Sequence, residues 1–296
     1  MTEVELLDAG VRRRLERFGG VVIDRPAPAA DGFRLAPEAW ASADLRFDPG
    51  PGWSGRAQPA APWSIGIAGL TMEVRPTSSG GLGLYPEHAA NLAWLEGQVT
   101  ARAGDGEPPR VLNLFAHTGL ATLALARAGA AVAHVDAARS AVAWARRNAE
   151  LSGLADRPVR WLVDDAAAFV AREARRGRRY AGIVLDPPAL GRSRGIAWRL
   201  EDDLPALLEA CRAVAALGAF VLLTAHSEHV DGDRLSTLLR TALGPAAIEV
   251  AALELGATSG ARLALGWAVR AELRVGHDGR PARGEPRTAK MAEWDP

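Results

Sequence analysis

From residue 110 onward, short apolar runs alternate with amphipathic stretches of helical length, five times in succession. Residues 111–115, 131–136, 159–163, 182–186 and 219–225 read as strands, and 120–128, 140–152, 166–176, 204–215 and 234–243 as helices. A strand apolar along its whole length has to be covered on both faces, and an intervening helix returns the chain to start the next strand parallel to the last. The pattern predicts an α/β fold built on a mostly parallel sheet. Residues 248–255 and 262–269 add a closing hairpin, giving seven strands, and the spacing of Leu92, Leu95 and Val99 predicts a helix over 87–101 ahead of the first strand.

The first 80 residues follow no such rhythm. An arginine-rich amphipathic stretch over 4–18 ends at Gly19-Gly20, a short strand follows at 21–23, and prolines, glycines and Trp40, Trp53 and Trp63 are then scattered through the chain. Residues 63–67 and 71–75 alternate as strands do. The expected organisation is a small β-rich subdomain over 1–80, a main domain over 81–275 and a flexible polar tail over 276–296.

Charge is balanced, with 35 basic and 35 acidic residues, so composition announces no nucleic-acid partner. Lys290 is the only lysine. The arginines reflect either codon drift or phosphate gripping by guanidinium groups, and composition does not separate these. The single cysteine, Cys211, excludes an internal disulfide and a cysteine-based zinc cluster. The apolar run at 213–225 is shorter than the ~20 residues of a membrane span, and the acidic first residues lack an apolar leader, so a cytoplasmic protein is expected.

In such a sheet ligands bind at the carboxyl ends of the strands. Those ends carry Asn113 to Gly119, then Asp136, then Asp164-Asp165, then Asp186-Pro187-Pro188, then Thr224 to Ser227. The first turn is not the Gly-x-Gly-x-x-Gly that brings backbone against a pyrophosphate, since Phe115 and His117 fill it. A dinucleotide is therefore disfavoured, and a nucleoside held by ribose and base fits better. Asp136 is placed to accept hydrogen bonds from a ribose diol. Asp136 and Asp165 also suit helix caps, and the two prolines suit a plain loop. His134, inside a strand, reads as a packed or half-exposed histidine with no catalytic part.

The runs VLNLFAHTG, HVDAARSAVAWARRNAELSGL, WLVDDAAAF and VLDPPALGRS, in that order, resemble the class I S-adenosylmethionine (SAM) methyltransferases. Together with LLDAG, RLERFG, VIDRPAP and GLGLYPEHAANLAW they resemble a bacterial subgroup of the group that contains the 23S rRNA cytosine-C5 methyltransferases. The resemblance implies a Rossmann-like domain with SAM as cofactor and a base in RNA, rRNA in type, as methyl acceptor. It implies Asn113, Phe115 and Gly119 around the methionine part, Asp136 on the ribose, Ala137 beside the adenine and Asp165 on the adenine amino group. Asp186, Pro187 and Pro188 would form the floor where substrate meets methyl, and the segment with Tyr85, Glu87 and His88 would approach the cofactor.

Methylating C5 of a pyrimidine calls for a thiolate to attack C6. No cysteine stands at the fourth or fifth strand end, and Cys211 lies among leucines in the following helix, where a buried thiol is expected. A nitrogen or oxygen acceptor needs less: Asp186 and the Pro187 carbonyl to hold an amine, and His226 as general base. The aromatic that stacks a base after the prolines is replaced by Ala189-Leu190, with Trp198 as a candidate substitute. Arg192 and Arg194 are candidate phosphate contacts, as are the arginines at 12–17, while those at 172–179 read as a solvated helix end. His226 and His229 are spaced as metal ligands without an evident third, so no metal is expected. A small-molecule or protein methyltransferase, a non-catalytic SAM- or RNA-binding module and a nicotinamide oxidoreductase are the competing readings.

Overall fold

The structure is a computed structural model and describes residues 3–56, 62–104, 106–193, 196–227 and 229–274. The proposed tail over 276–296 lies outside the described residues.

The N-terminal part opens with β1 (Val4–Gly10), β2 (Arg13–Phe18), β3 (Val21–Pro26), β4 (Leu45–Asp48) and β5 (Gly52–Gly55), which form one sheet in that order. β3 and β4 run parallel, and the other pairs are antiparallel. The stretch over 4–18, amphipathic in sequence, is thus a hairpin turning at Val11 and Arg12, both at positive φ. Its charges hide the strand alternation because they pair within the fold. Arg25 donates to Glu16 at 2.6 Å and Arg13 to Asp24 and Asp48 at 2.5 and 2.8 Å. The arginines of this cluster, candidate phosphate contacts, each find an acidic partner within the fold. Arg14 is buried beside Glu16, and the exposed Arg12 and Arg17 each face an acid, Asp31 and Glu5.

β6 (Trp63–Ile67) and β7 (Leu70–Val74) form a separate hairpin, where alternation in the sequence placed it. Its residues Ile65, Ile67, Leu70, Met72 and Val74 join one apolar core with Val111, Leu123 and Val132 of the main sheet layer.

After a 3-10 turn over Pro86–His88 the chain enters α1 (Ala89–Arg102), β8 (Arg110–Leu114), α2 (Leu120–Arg127), β9 (Ala131–Asp136), α3 (Arg139–Leu151), β10 (Val159–Val163), α4 (Ala166–Arg175) and β11 (Tyr180–Leu185). A short hairpin, β12 (Leu190–Ser193) and β13 (Ile196–Arg199), leads to α5 (Leu200–Arg212), β14 (Ala215–Ala225), α6 (Gly232–Leu243) and the long hairpin β15 (Ala246–Gly256) and β16 (Arg262–Leu273). The seven-stranded sheet has the order β10-β9-β8-β11-β14-β16-β15, parallel except where β16 meets β14 and β15. The expected seven strands and closing hairpin are present. α5 begins four residues before the expected start, and the β12–β13 hairpin was not anticipated.

Strand order reverses at β8. β9 lies on one side and β11 on the other, so the loops leaving β8 and β11 diverge and open a crevice at the carboxyl edge. The central strands β8 and β9 are buried except at one end residue each, Arg110 and Asp136, as a doubly covered parallel sheet requires. Phe220 on β14 packs over Gly182 of β11, where a Cβ would come within 2.1 Å of its ring. Full burial of such a phenyl contributes about 1.5–3 kcal/mol. No helix among the described residues is long and apolar enough to cross a membrane.

His134 on β9 is fully buried and bonds through Nδ1 to Thr122 Oγ1 at 2.9 Å, while Asn113 Nδ2 donates to the same hydroxyl at 2.8 Å. Burial pushes its pKa down to about 3. Below the ordinary value of 6.5 the unfolded chain takes up a proton that the folded chain refuses, so stability falls as pH drops. At pH 5 the loss is about 2 kcal/mol. Urea unfolding at pH 7 and pH 5 checks this: His134→Gln is expected to remove that much of the acid sensitivity, and an unchanged pH slope would contradict it.

Candidate active site

The crevice holds a pocket of about 630 Å³ lined from five strand ends: Phe115 and His117 after β8, Asp136 and Ala137 after β9, Asp165 after β10, Asp186, Pro187 and Pro188 after β11, and His226 after β14. Tyr85 and Trp198 border it as well. A smaller annex of about 60 Å³, lined by His88, Asn91, Asn113, Gly119 and Thr224 among others, meets it at Tyr85, Phe115, His117 and Asp186. The candidates from the sequence thus converge on this pocket and its annex, apart from Glu87 and two loop arginines. Glu87 is buried but borders neither space. For Arg192 only the backbone is described, in β12, and Arg194 lies outside the described residues.

The β8–α2 turn is held in unusual backbone geometry, with Phe115 and His117 at φ 55° and 48°. Strain of this kind costs on the order of 1–3 kcal/mol per residue and concentrates at functional sites. It is maintained by Asp136, whose Oδ2 accepts the His117 N–H at 2.8 Å while Oδ1 accepts the Ala138 N–H at 2.8 Å. Gly119, at φ 93°, opens α2 directly behind, where a side chain would also press on Ala145. Each Asp136 oxygen retains a second lone pair for a hydroxyl in the pocket. Asp165 caps α4 by accepting the Ala168 N–H at 2.9 Å and still lines the pocket, so its capping and ligand-facing readings are compatible.

The floor is more polar than the sequence indicated. Asp186 accepts from Thr224 Oγ1 at 2.6 Å, and His88 Nε2 lies 3.3 Å from its other oxygen. His226 Nε2 is 3.2 Å from His88 Nε2 and 3.7 Å from Asp186. His226 Nδ1 lies 2.8 Å from the Leu265 carbonyl, which only an N–H can satisfy, so Nε2 is the bare nitrogen of neutral His226. Burial opposes the Asp186 charge, yet His88, His226 and the Thr224 hydroxyl together hold its carboxyl well below the usual range. Burial likewise opposes charge on His88, but Asp186, with help from Glu87, outweighs it and raises the imidazole. His229 is exposed and not part of this cluster, so the i, i+3 spacing with His226 is incidental.

Facing this floor, Trp198 on β13 donates its indole N–H to the Pro188 carbonyl at 2.8 Å and packs 5.3 Å from Phe115. The hairpin that carries it had no sequence signal beyond the tryptophan itself. Asn91 was also missed: it is buried beside the annex, its Oδ1 is taken by Arg270 at 3.0 Å, and its Nδ2 has no hydrogen-bond partner. Cys211 is fully buried in α5 with its thiol pushed up to about 12, as expected of an inert packing residue.

The space fits a nucleoside with an attached amino acid. It has a hydroxyl-accepting carboxylate, no glycine-rich phosphate turn and a mostly apolar annex with one orphan amide donor, Asn91 Nδ2.

No protein-family model matches the chain. Among curated proteins it is similar to the ribosomal RNA large subunit methyltransferase K/L of Stutzerimonas stutzeri, 38% identical over 112 residues, which is 37% of this chain and 15% of that one. The chain thus spans a small part of the curated relatives it matches. It shares its fold with a methyltransferase solved in complex with S-adenosylhomocysteine, at 14% identity and TM-score 0.75 over 92% of this chain and 76% of the other. A SAM-dependent methyltransferase from Agrobacterium tumefaciens is 32% identical and superposes with TM-score 0.85, covering 92% of this chain and 91% of that one. With likeness extending over nearly the whole of both chains, the chain belongs to the SAM-dependent methyltransferases.

Proposed function

We propose that the chain methylates a nitrogen of a nucleobase in RNA. The observation that carries the reading is the floor of the pocket: a buried carboxylate with a bare imidazole nitrogen beside it, an indole alongside, and no thiol. Asp186 and the Pro187 carbonyl accept the hydrogens of an amine and aim its lone pair inward. His226 Nε2 takes the proton the nitrogen gives up, and His88 fixes the carboxylate from the annex side. Trp198 offers the stacking face that Ala189-Leu190 lacks. When bound, SAM supplies a methyl group already activated by its sulfonium, so the chain's task is positioning and exclusion of water. Asp136 holds the ribose, Ala137 and Asp165 the adenine, and Asn113, Phe115, Gly119, Tyr85 and Asn91 the methionine end.

A cytosine-C5 acceptor is not supported, because the one cysteine is sealed in α5. The RNA part of the reading is supported by the relatives named rRNA methyltransferases. It goes with a division into a substrate-presenting β-rich unit over 1–80 and a catalytic domain over 81–275, with Arg192 as a phosphate contact and a cytoplasmic setting.

Two experiments check this. Label from SAM is expected to enter total RNA from cells lacking the gene and to be lost on nuclease digestion. Label that instead survives nuclease in protein or small molecules would replace RNA with another acceptor. Trp198→Ala is expected to raise KM for the RNA by about 10- to 100-fold, the worth of one stacked base, with S-adenosylhomocysteine affinity unchanged. An unaltered KM would remove Trp198 from the substrate site.

A further inference from the structure

The floor of the pocket has a second property that follows from geometry and not from the identity of the methyl acceptor. We infer that His88, Asp186 and His226 form a binding site for a divalent transition-metal ion of the zinc type, and that such an ion in this site blocks methyl transfer. Ligand atoms held 2.0–2.1 Å from a tetrahedral zinc lie about 3.3 Å from one another. The imidazole Nε2 atoms are 3.2 Å apart, His88 Nε2 lies 3.3 Å from Asp186 Oδ2 and His226 Nε2 3.7 Å from Asp186 Oδ1, and one ligand atom from each residue comes within 4.8 Å of the other two. Turning a single Asp186 oxygen toward both imidazoles completes one face of a tetrahedron, and its fourth position opens onto the pocket, which both Asp186 and His226 line.

His226 spends its one N–H on the Leu265 carbonyl, so its Nε2 shares the His88 Nε2–H with the Asp186 carboxylate, whose other donor is the Thr224 hydroxyl. A cation satisfies all three at once. The outer partners that fix metal ligands elsewhere are also present: the carbonyl behind His226 sets its tautomer and aim, and the Thr224 hydroxyl steadies Asp186 at 2.6 Å. Glu87 adds a buried carboxylate 3.9 Å from His226 Nδ1, with its Oε2 lacking a hydrogen-bond partner. Arg14 opposes that charge from the N-terminal sheet.

The ligand set of two imidazoles and one carboxylate suits Zn²⁺ or Co²⁺ and suits Mg²⁺ or Ca²⁺ poorly, since those prefer oxygen. A bound ion occupies the lone pairs on His226 and Asp186 that the acceptor's amine and proton would otherwise meet. It therefore competes with the acceptor and leaves the adenine end of the cavity free.

Calorimetric titration of the full chain with zinc chloride is expected to give one ion per chain, and Co²⁺ to give the visible absorption of a four-coordinate site. His88→Ala and His226→Ala are each expected to weaken binding on the order of 100-fold or more, while His229→Ala leaves it unchanged. Thermal unfolding measured without metal shows that the variants are folded, and His88→Gln replaces His88→Ala if that variant is not. No stoichiometric zinc binding, or binding that survives His226→Ala, would overturn the inference. Zinc is further expected to stop label transfer and a chelator to restore it, and transfer undiminished at full zinc occupancy would refute the blocking role. The calorimetric result stands whatever the acceptor is, so failure of the RNA reading and failure of the metal site are told apart.

Discussion

Asp186→Asn is expected to lower methyl transfer by about 10²- to 10³-fold while S-adenosylhomocysteine affinity stays within a few-fold. The substitution keeps shape and removes acceptor capacity. An amide presents an NH₂ toward one of its two neighbours, either the Thr224 hydroxyl hydrogen or the His88 Nε2–H, and one of those donors is then repelled. The same change removes the charge that holds a substrate amine and compensates the proton arriving on His226. Thr224→Val separates a structural contribution from a chemical one, since it withdraws one hydrogen bond from the carboxylate without touching its charge. Its effect is expected to be about tenfold, the worth of about 1.5 kcal/mol. Equal losses in the two variants would mean that Asp186 acts by holding the β11 and β14 ends together and not on the acceptor.

Asp136→Ala is expected to weaken S-adenosylhomocysteine binding by about 2–4 kcal/mol, roughly 30- to 1000-fold. Two losses add. The ribose hydroxyls lose a charged acceptor, and the N–H groups of His117 and Ala138 lose the oxygens that hold the β8–α2 turn in its strained form. Asp136→Asn keeps one oxygen and is expected to lose about tenfold. Calorimetry with S-adenosylhomocysteine checks both, and an Ala variant that binds within threefold of the wild type would exclude Asp136 from the cofactor site.

The parts of this arrangement legible in the sequence are those set by local pattern. Apolar strands separated by helical spacing gave the doubly covered sheet, and with it the rule that chemistry gathers at strand ends. That rule alone brought Asp136, Asp165, Asp186 and His226 to one cavity. What stayed hidden depends on contacts between distant segments. His88 and His226 are 138 residues apart, and nothing local to either indicates that their Nε2 atoms meet over Asp186. The β1–β2 hairpin was obscured because its charged residues face partners on neighbouring strands instead of water, as the buried Glu16 and Arg25 pair shows. The β12–β13 hairpin consists of two four-residue strands, too short to show a period, yet it places Trp198 against Phe115. Asn91 lay inside a helix predicted on its leucines, and only burial of its free amide beside the annex marks it.

The central claim is nitrogen methylation of an RNA base by a chain without a usable thiol. Its most direct test is nucleoside mass spectrometry of RNA from cells with and without the gene. The account predicts that one N-methylated nucleoside falls in the deletion strain, returns with the wild-type gene and with Cys211→Ala, and does not return with Asp186→Asn. Loss of 5-methylcytidine, or rescue that depends on Cys211, would contradict it.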